Sequence, residues 1–232
     1  MTAVNTTRFL RQACFLFALV FSGFSLMSLA QADDRSDFFR AVEMDRPDLL
    51  ENLLKKGVDP NLTEPYKGNT GLIVAMQEGS MGVFNLLVNT KGIDLDKRAT
   101  NGNTAIMLAA WKNNAPAVKT LLEKGAKVNQ SGWTALHYAA SVGNKEIVKM
   151  LLAQKAVVDS PAPNKTTPLM MAARSGHTDT AKLLLDHGAD VRLRNEWDMS
   201  AVDFARDGDF TSLEKGLQSR LDKAEAMAAM KN

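Results

Sequence analysis

Few residues of this chain are equipped for chemistry. His137, His177 and His187 are its three histidines, and imidazole is the side chain best suited to proton transfer near neutral pH or to holding zinc. Their positions match no zinc-binding spacing. Asp207-Gly208-Asp209 has the start of a calcium loop but lacks the further ligands and the closing glutamate, and it reads as a turn. Ser175 and Ser200 have no His/Asp partner at a telling distance in sequence. No nucleophile elbow, phosphate-binding loop or dinucleotide fingerprint occurs. The single cysteine, Cys14, sits in an apolar run near the start. The rest of the chain therefore has no disulfide, thiolate metal site or Cys nucleophile. The residues predict no catalytic centre, no metal, no cofactor and no small-molecule substrate.

Elements elsewhere in the chain must then carry the function. Its 232 residues are 45% apolar and 23% charged, the ordinary globular range, which excludes a disordered or collagenous chain. Arg8 and Arg11 are the charged residues before position 33, so the remainder balances 26 bases against 26 acids. That neutrality argues against nucleic acid as a partner. Arg8 and Arg11 precede the apolar run Ala13–Leu29, and Ala30-Gln31-Ala32 follows. Basic, apolar and small-residue regions in that order predict a cleavable secretory signal over 1–32, cut between Ala32 and Asp33. The expected location is periplasmic or secreted. A retained segment would instead tether the chain to a membrane as a scaffold.

A hydroxyl residue opens each of six stretches: Ser36, Thr70, Thr104, Thr134, Thr167 and Ser200. Two residues on, the position is always apolar (Phe38, Leu72, Ile106, Leu136, Leu169, Val202). Five on it is always alanine (Ala41, Ala75, Ala109, Ala139, Ala172, Ala205), and seventeen on always leucine (Leu53, Leu87, Leu121, Leu151, Leu184, Leu217). Each hydroxyl is expected to cap a short helix by accepting a backbone N–H. The alanines mark a close helix approach, and a second helix carries the leucine. Gly79, Gly143, Gly176 and Asn113 are expected to end first helices in the left-handed conformation, and Gly57, Gly92, Gly125 and Gly188 to close second ones. Lys155 replaces the closing glycine in the fourth repeat, so there the backbone must strain or the turn must differ. Three residues are missing between Val128 and Thr134, which predicts a clipped connection.

With Gly132-Trp-Thr-Ala-Leu-His-Tyr-Ala-Ala140, Thr167-Pro-Leu-Met-Met-Ala-Ala173 and Gly188-Ala-Asp-Val191, the chain resembles the ankyrin repeat family, whose period is about 33 residues. The resemblance implies an all-α repeat solenoid of helix-turn-helix units with short β-hairpin fingers. Its domain would span 33–218, in repeats of about 36–65, 66–99, 100–129, 130–162, 163–195 and 196–218. The first and last repeats would act as caps, and a tail over 219–232 would extend a helix or fray. The resemblance also gives His137 a structural role, bonding the cap and backbone.

It further implies recognition of a protein partner through fingers and first-helix residues lining a concave groove. The finger residues are Tyr66, Lys67, Asn101, Asn103, Trp133 and Asn164. The helix residues are Gln77, Glu78, Trp111, Lys112, Ser141, Val142, Arg174 and Ser175, with Arg206 standing for the sixth repeat. Aromatic and arginine side chains dominate interface hot spots, so Trp111, Trp133 and Arg174 form the expected patch. Trp197 is expected to cover the terminal repeat. The expectation is a non-catalytic periplasmic module that binds, protects or regulates a partner. Bacterial proteins of this layout resemble helpers of oxidative-stress enzymes such as catalase. The alternative is an exported effector or immunity-type protein acting on a foreign or host protein.

Overall fold

The structure, a computed structural model, describes residues 34–230. The expected signal, its cleavage residues Ala32 and Asp33, and Cys14 lie outside the described residues. Helix α1 covers residues 34–43. There follow α2 (Pro47–Lys55), α3 (Gly71–Glu78), α4 (Met81–Val88), α5 (Ala105–Trp111) and α6 (Ala115–Glu123). Then come α7 (Ala135–Val142), α8 (Lys145–Ala153), α9 (Pro168–Arg174), α10 (Thr178–Asp186), α11 (Ala201–Asp207) and α12 (Thr211–Ala229).

The helices pair in order, and each pair stacks on its neighbours. First helices contact one another in the row α3, α5, α7, α9, α11, and second helices in α2–α4 and α6–α8–α10. The sequence columns are the buried seams of this stack. All six alanines are at most 1% exposed, and the apolar residues two after each hydroxyl are at most 2% exposed. Alanine has no side-chain bulk to hold adjacent first helices apart, and the leucines fill the space behind them. Leu87, Leu121, Leu151 and Leu184 are fully buried. Truncating such a residue costs about 2–5 kcal/mol.

Helix starts obey the capping expectation unevenly. Thr70, Thr167 and Ser200 accept the N–H three residues on, from backbones at φ −79, −98 and −92. Thr134, at φ −124, forms a capping box with His137, whose Nδ1 meets its N–H and hydroxyl, whereas Thr104, at φ −116, makes no cap bond. The buried Thr104 Oγ1 has no partner among the described residues. Residue 34 is already helical, so Ser36 lies within α1 and cannot open it. Second-helix ends follow the glycine column, and Lys155 takes the strained option, at φ +62.

Each full finger is a tight turn closed by a pair of backbone bonds: Glu64 N–H to Asn69 O, Ala99 to Asn103, Ala162 to Thr166 and Asn195 to Met199, all 2.9–3.0 Å, and in return Gly68 N–H to Glu64 O, Gly102 to Ala99, Lys165 to Ala162 and Asp198 to Asn195, 2.8–3.1 Å. Among the described residues, β pairing is limited to an isolated Thr63–Thr70 bridge. The fingers expected as short hairpins are thus reduced to turns. At the clipped junction the turn bonds have no counterpart among the described bonds. Arg98 from the preceding loop clasps the segment instead, Nε donating to Gln130 Oε1 (2.8 Å) and a terminal N–H to the Ser131 carbonyl (3.0 Å).

Between repeats, loops hand side-chain oxygens forward to backbone N–H groups. Asn61 takes Asp94 N–H (2.7 Å), Asp96 takes Lys127 (2.8 Å), Asn129 takes Val157 (2.8 Å) and Asp159 takes Asp190 (3.1 Å). The final helix runs unbroken across residue 218, laying Leu213 and Leu217 into the core. No helix of the described residues is long and apolar enough to cross a membrane.

Candidate functional site

Two of the three histidines hold one repeat to the next. His137 is buried. Its Nδ1 lies 3.1 Å from the Thr134 N–H and 2.9 Å from the Thr134 hydroxyl, while Nε2 lies 3.0 Å from the Thr166 carbonyl. One tautomer satisfies these contacts: Nδ1 accepts and Nε2–H donates. Burial pushes the His137 pKa down from 6.5 to about 4, against the opposing pull of its carbonyl contacts. His177 Nε2 donates to the Ser141 carbonyl (3.1 Å) across a repeat boundary, and His187 Nδ1 to Leu183 O (2.9 Å) within its own turn. Among the described residues no three His, Cys, Asp or Glu side chains cluster to hold a metal. Asp207 ends α11 and Gly208-Asp209 form the turn to α12, with Asp209 left-handed at φ +57.

The fingers and the first helices they precede carry the residues expected to meet a partner. Tyr66 stands almost fully exposed at 93% on the first finger. Beside it the Lys67 carbonyl accepts both the Thr100 N–H (3.0 Å) and hydroxyl (2.7 Å), tying two fingers together. Asn101 folds its own finger by accepting the Asn103 N–H, and Asn103 in turn receives the Tyr138 hydroxyl (2.8 Å). Burial raises the Tyr138 pKa, and that hydrogen bond works against the rise.

Trp111 is 53% exposed at the end of α5. Lys112 Nζ lies 5.6 Å from the centre of its ring and donates to the Gln77 carbonyl (3.0 Å). Glu78 is exposed, whereas Gln77, Ser141, Val142 and Ser175 are half-buried. Trp133 is half-buried because its ring packs edge-on against His137, 5.2 Å between centres, and tilted against Tyr138 at 6.4 Å.

Three of the expected residues, Trp133, Asn164 and Arg174, meet in one cleft of about 580 Å³ spanning the fourth to sixth repeats. Trp111 and Tyr66 are not in its lining. Trp197, expected to cover the terminal repeat, is 65% exposed and forms another wall. An indole carried on the tip of a finger has no second layer to pack on. Thr166 and Gly208 also line the cleft, as do Met171, Phe204 and Asp207. The signal for Met171, Phe204 and Asp207 lies in the repeat itself. Met171 and Phe204 occupy one column, four residues after the hydroxyl, and Asp207 falls seven after Ser200. Arg206, one residue short of that column, turns away and pairs with Glu214 (2.7 Å) and Asp203 (3.0 Å).

A family model described as ankyrin repeats (3 copies) matches residues 38–131 and 127–195. The chain is 31% identical over 180 residues to the human transient receptor potential cation channel subfamily A member 1, covering 72% of this chain and 16% of that one. It is 36% identical over 151 residues to human SH3 and multiple ankyrin repeat domains protein 2, covering 63% and 8%. It is 34% identical over 162 residues to the Gallus gallus nuclear factor NF-kappa-B p105 subunit, covering 67% and 16%. The chain thus spans at most 16% of the length of these three relatives. The match over residues 38–195, with the helix pairs, turns and buried alanine seam that the structure builds there, places this chain in the ankyrin repeat family.

Proposed function

We propose that this chain is a non-catalytic protein-binding module that holds, protects or regulates a partner through its concave face. One observation carries the reading: the sorting of the aromatic residues. Phe38, Phe39 and Phe84 are buried, whereas Tyr66, Trp111 and Trp197 are each more than half exposed on fingers or at the end of a first helix. Large aromatics held in water on a rigid face are what interface hot spots are made of. The ankyrin repeats of the curated relatives suggest the same class of activity. The proposed location is the periplasm, on the three-part N-terminal signal, and an oxidative-stress enzyme such as catalase is the partner class to examine first.

The test is capture from native periplasmic extract by the purified protein. It is run beside a Trp111→Ala/Trp197→Ala variant and an outer-face control, Lys119→Ala/Lys149→Ala, all with matching circular dichroism. Retention of one protein by wild type and control, and its loss from the tryptophan variant, supports the proposal once the purified partner binds with the same pattern. Equal retention by all three puts binding on another face and overturns it.

A further inference from the structure

We propose that the cleft across the fourth to sixth repeats takes an extended peptide segment bearing a single acidic side chain beside an aromatic or branched apolar residue. Arg174 receives the carboxylate, and Asp207 rejects a second one. The inference rests on reading the concave face as a protein-binding surface and names what that surface selects.

The arginine of the cleft differs from most arginines around it in how its charge is satisfied. At the groove beside α12, Arg192 pairs with Asp190 (2.8 Å) and Arg220 with Asp186 (3.4 Å). At the groove beside α1, Arg40 pairs with Asp37 (3.2 Å), and Arg35, which has no ion pair among the described residues, shares its lining with two acids, Glu43 and Glu64. Near the cleft itself, Arg206 is held by Glu214 and Asp203, and Arg194 lies within 4 Å of Asp198 and Asp203. Arg174 is the cation of the cleft lining, and among the described residues it makes neither an ion pair nor a side-chain hydrogen bond. Asp207, in the same lining, is likewise without an ion pair among the described residues.

A guanidinium presents five N–H donors in a planar fork. An occupant that closes over Arg174 removes water from those donors, and an apolar occupant would leave them unsatisfied at a cost. A carboxylate matches the fork with two parallel charge-assisted bonds. The walls set the neighbour of that acid: Trp133, Trp197 and Phe204 offer aromatic surface to an apolar or aromatic side chain. Asp207 sets the limit, since a second acid would lie against an unneutralised carboxylate. One cation and one anion in the lining also disfavour a phosphate backbone, which needs a cationic excess. A volume of about 580 Å³ suits a few side chains of a segment.

The experiment selects short random displayed peptides against the purified wild-type protein and its Arg174→Glu and Asp207→Asn variants. Both residues are exposed, so the variants are expected to keep the wild-type melting temperature, which is measured first. Wild type is expected to enrich sequences with one Asp or Glu within two residues of an aromatic or branched apolar residue. Changing that acid to its amide in a synthetic peptide should weaken binding about tenfold or more, read by tryptophan fluorescence. Arg174→Glu should shift the enriched position to Lys or Arg, and Asp207→Asn should admit adjacent acids. No acidic preference, or one that survives Arg174→Glu, overturns the proposal. Binding of an oligothymidylate that Arg174→Glu abolishes overturns it in favour of nucleic acid. If no sequence is enriched while the captured partner still binds through the concave tryptophans, the groove reads a folded surface. This inference then fails and the binding function stands. If that capture fails as well, the reading beneath it has failed.

Discussion

Replacing His137 by asparagine should change not only how stable the protein is but how that stability depends on pH. The imidazole is fully buried and bridges the start of α7 to the Thr166 carbonyl of the next finger. It can do so only as the neutral tautomer, because Nδ1 must accept the Thr134 N–H. Burial holds its pKa at about 4, against 6.5 for the ordinary side chain. Between those two values the unfolded chain binds a proton that the folded chain refuses. Stability therefore rises with pH across this window, and the contribution is complete above pH 6.5 and lost as pH falls towards 4. The displacement corresponds to about 3 kcal/mol. The asparagine variant loses the bond to Thr166 and leaves a buried carbonyl short of a donor, a cost of about 1–3 kcal/mol near neutrality. It has no imidazole at this position, so its stability lacks that slope. His177, His187 and the carboxylates are common to both proteins, and their contributions cancel in the difference. Urea titrations followed by circular dichroism at several pH values give that difference directly. The stability difference should shift by about 3 kcal/mol against wild type from neutral pH to about pH 4, erasing or reversing its advantage over His137→Asn. Parallel profiles would refute the reasoning, because the imidazole would then titrate alike folded and unfolded.

Three further outcomes follow from the packing. Lys155→Gly relieves a left-handed backbone at φ +62 and should stabilise by about 1 kcal/mol after the entropy glycine adds to the unfolded chain, read as a higher melting temperature. Gly143→Ala places a Cβ at φ +80 and 2.5 Å from the His177 ring, and a loss of about 1–3 kcal/mol is expected by the same measurement. Trp133→Ala should destabilise by about 1–3 kcal/mol through its lost stacking on His137 and Tyr138, whereas Trp111→Ala should stay within about 0.5 kcal/mol. Equal effects of the two tryptophan substitutions would contradict the packing described for them.

The fold was legible because its columns are chemically uniform. Alanine recurs where helices touch and leucine where the second helix fills the space behind, so period and burial coincide. The left-handed Lys155 and the clipped junction were legible as departures from that uniformity. What stayed hidden depends on position rather than residue type. Arg46, Ser80, Asn114, Asn144, His177 and Phe210 share one place in the repeat, yet nothing in their chemistry announces it. The structure shows Asn144 donating to Asn113 of the preceding turn, while the rings of His177 and Phe210 cover Gly143 and Gly176. The site was half legible for a similar reason. Counting along the repeat found Trp133, Asn164 and Arg174. It could not show that Trp197 remains uncovered, that Arg206 is neutralised by its own neighbours, or that the Thr104 hydroxyl is left without a partner.

The clipped junction bears on how such a groove can diversify. Removing three residues from a helix would rotate every later side chain by roughly 60° and take the alanine seam out of register. Here the deletion falls in a loop, and Ala139 and Leu151 just beyond it remain fully buried. Insertions and deletions are thus absorbed at the fingertips, where an arginine from the adjacent repeat can fasten what is left. In this architecture the edge of the binding face can be recontoured one finger at a time by changes in chain length, with the core inherited unaltered.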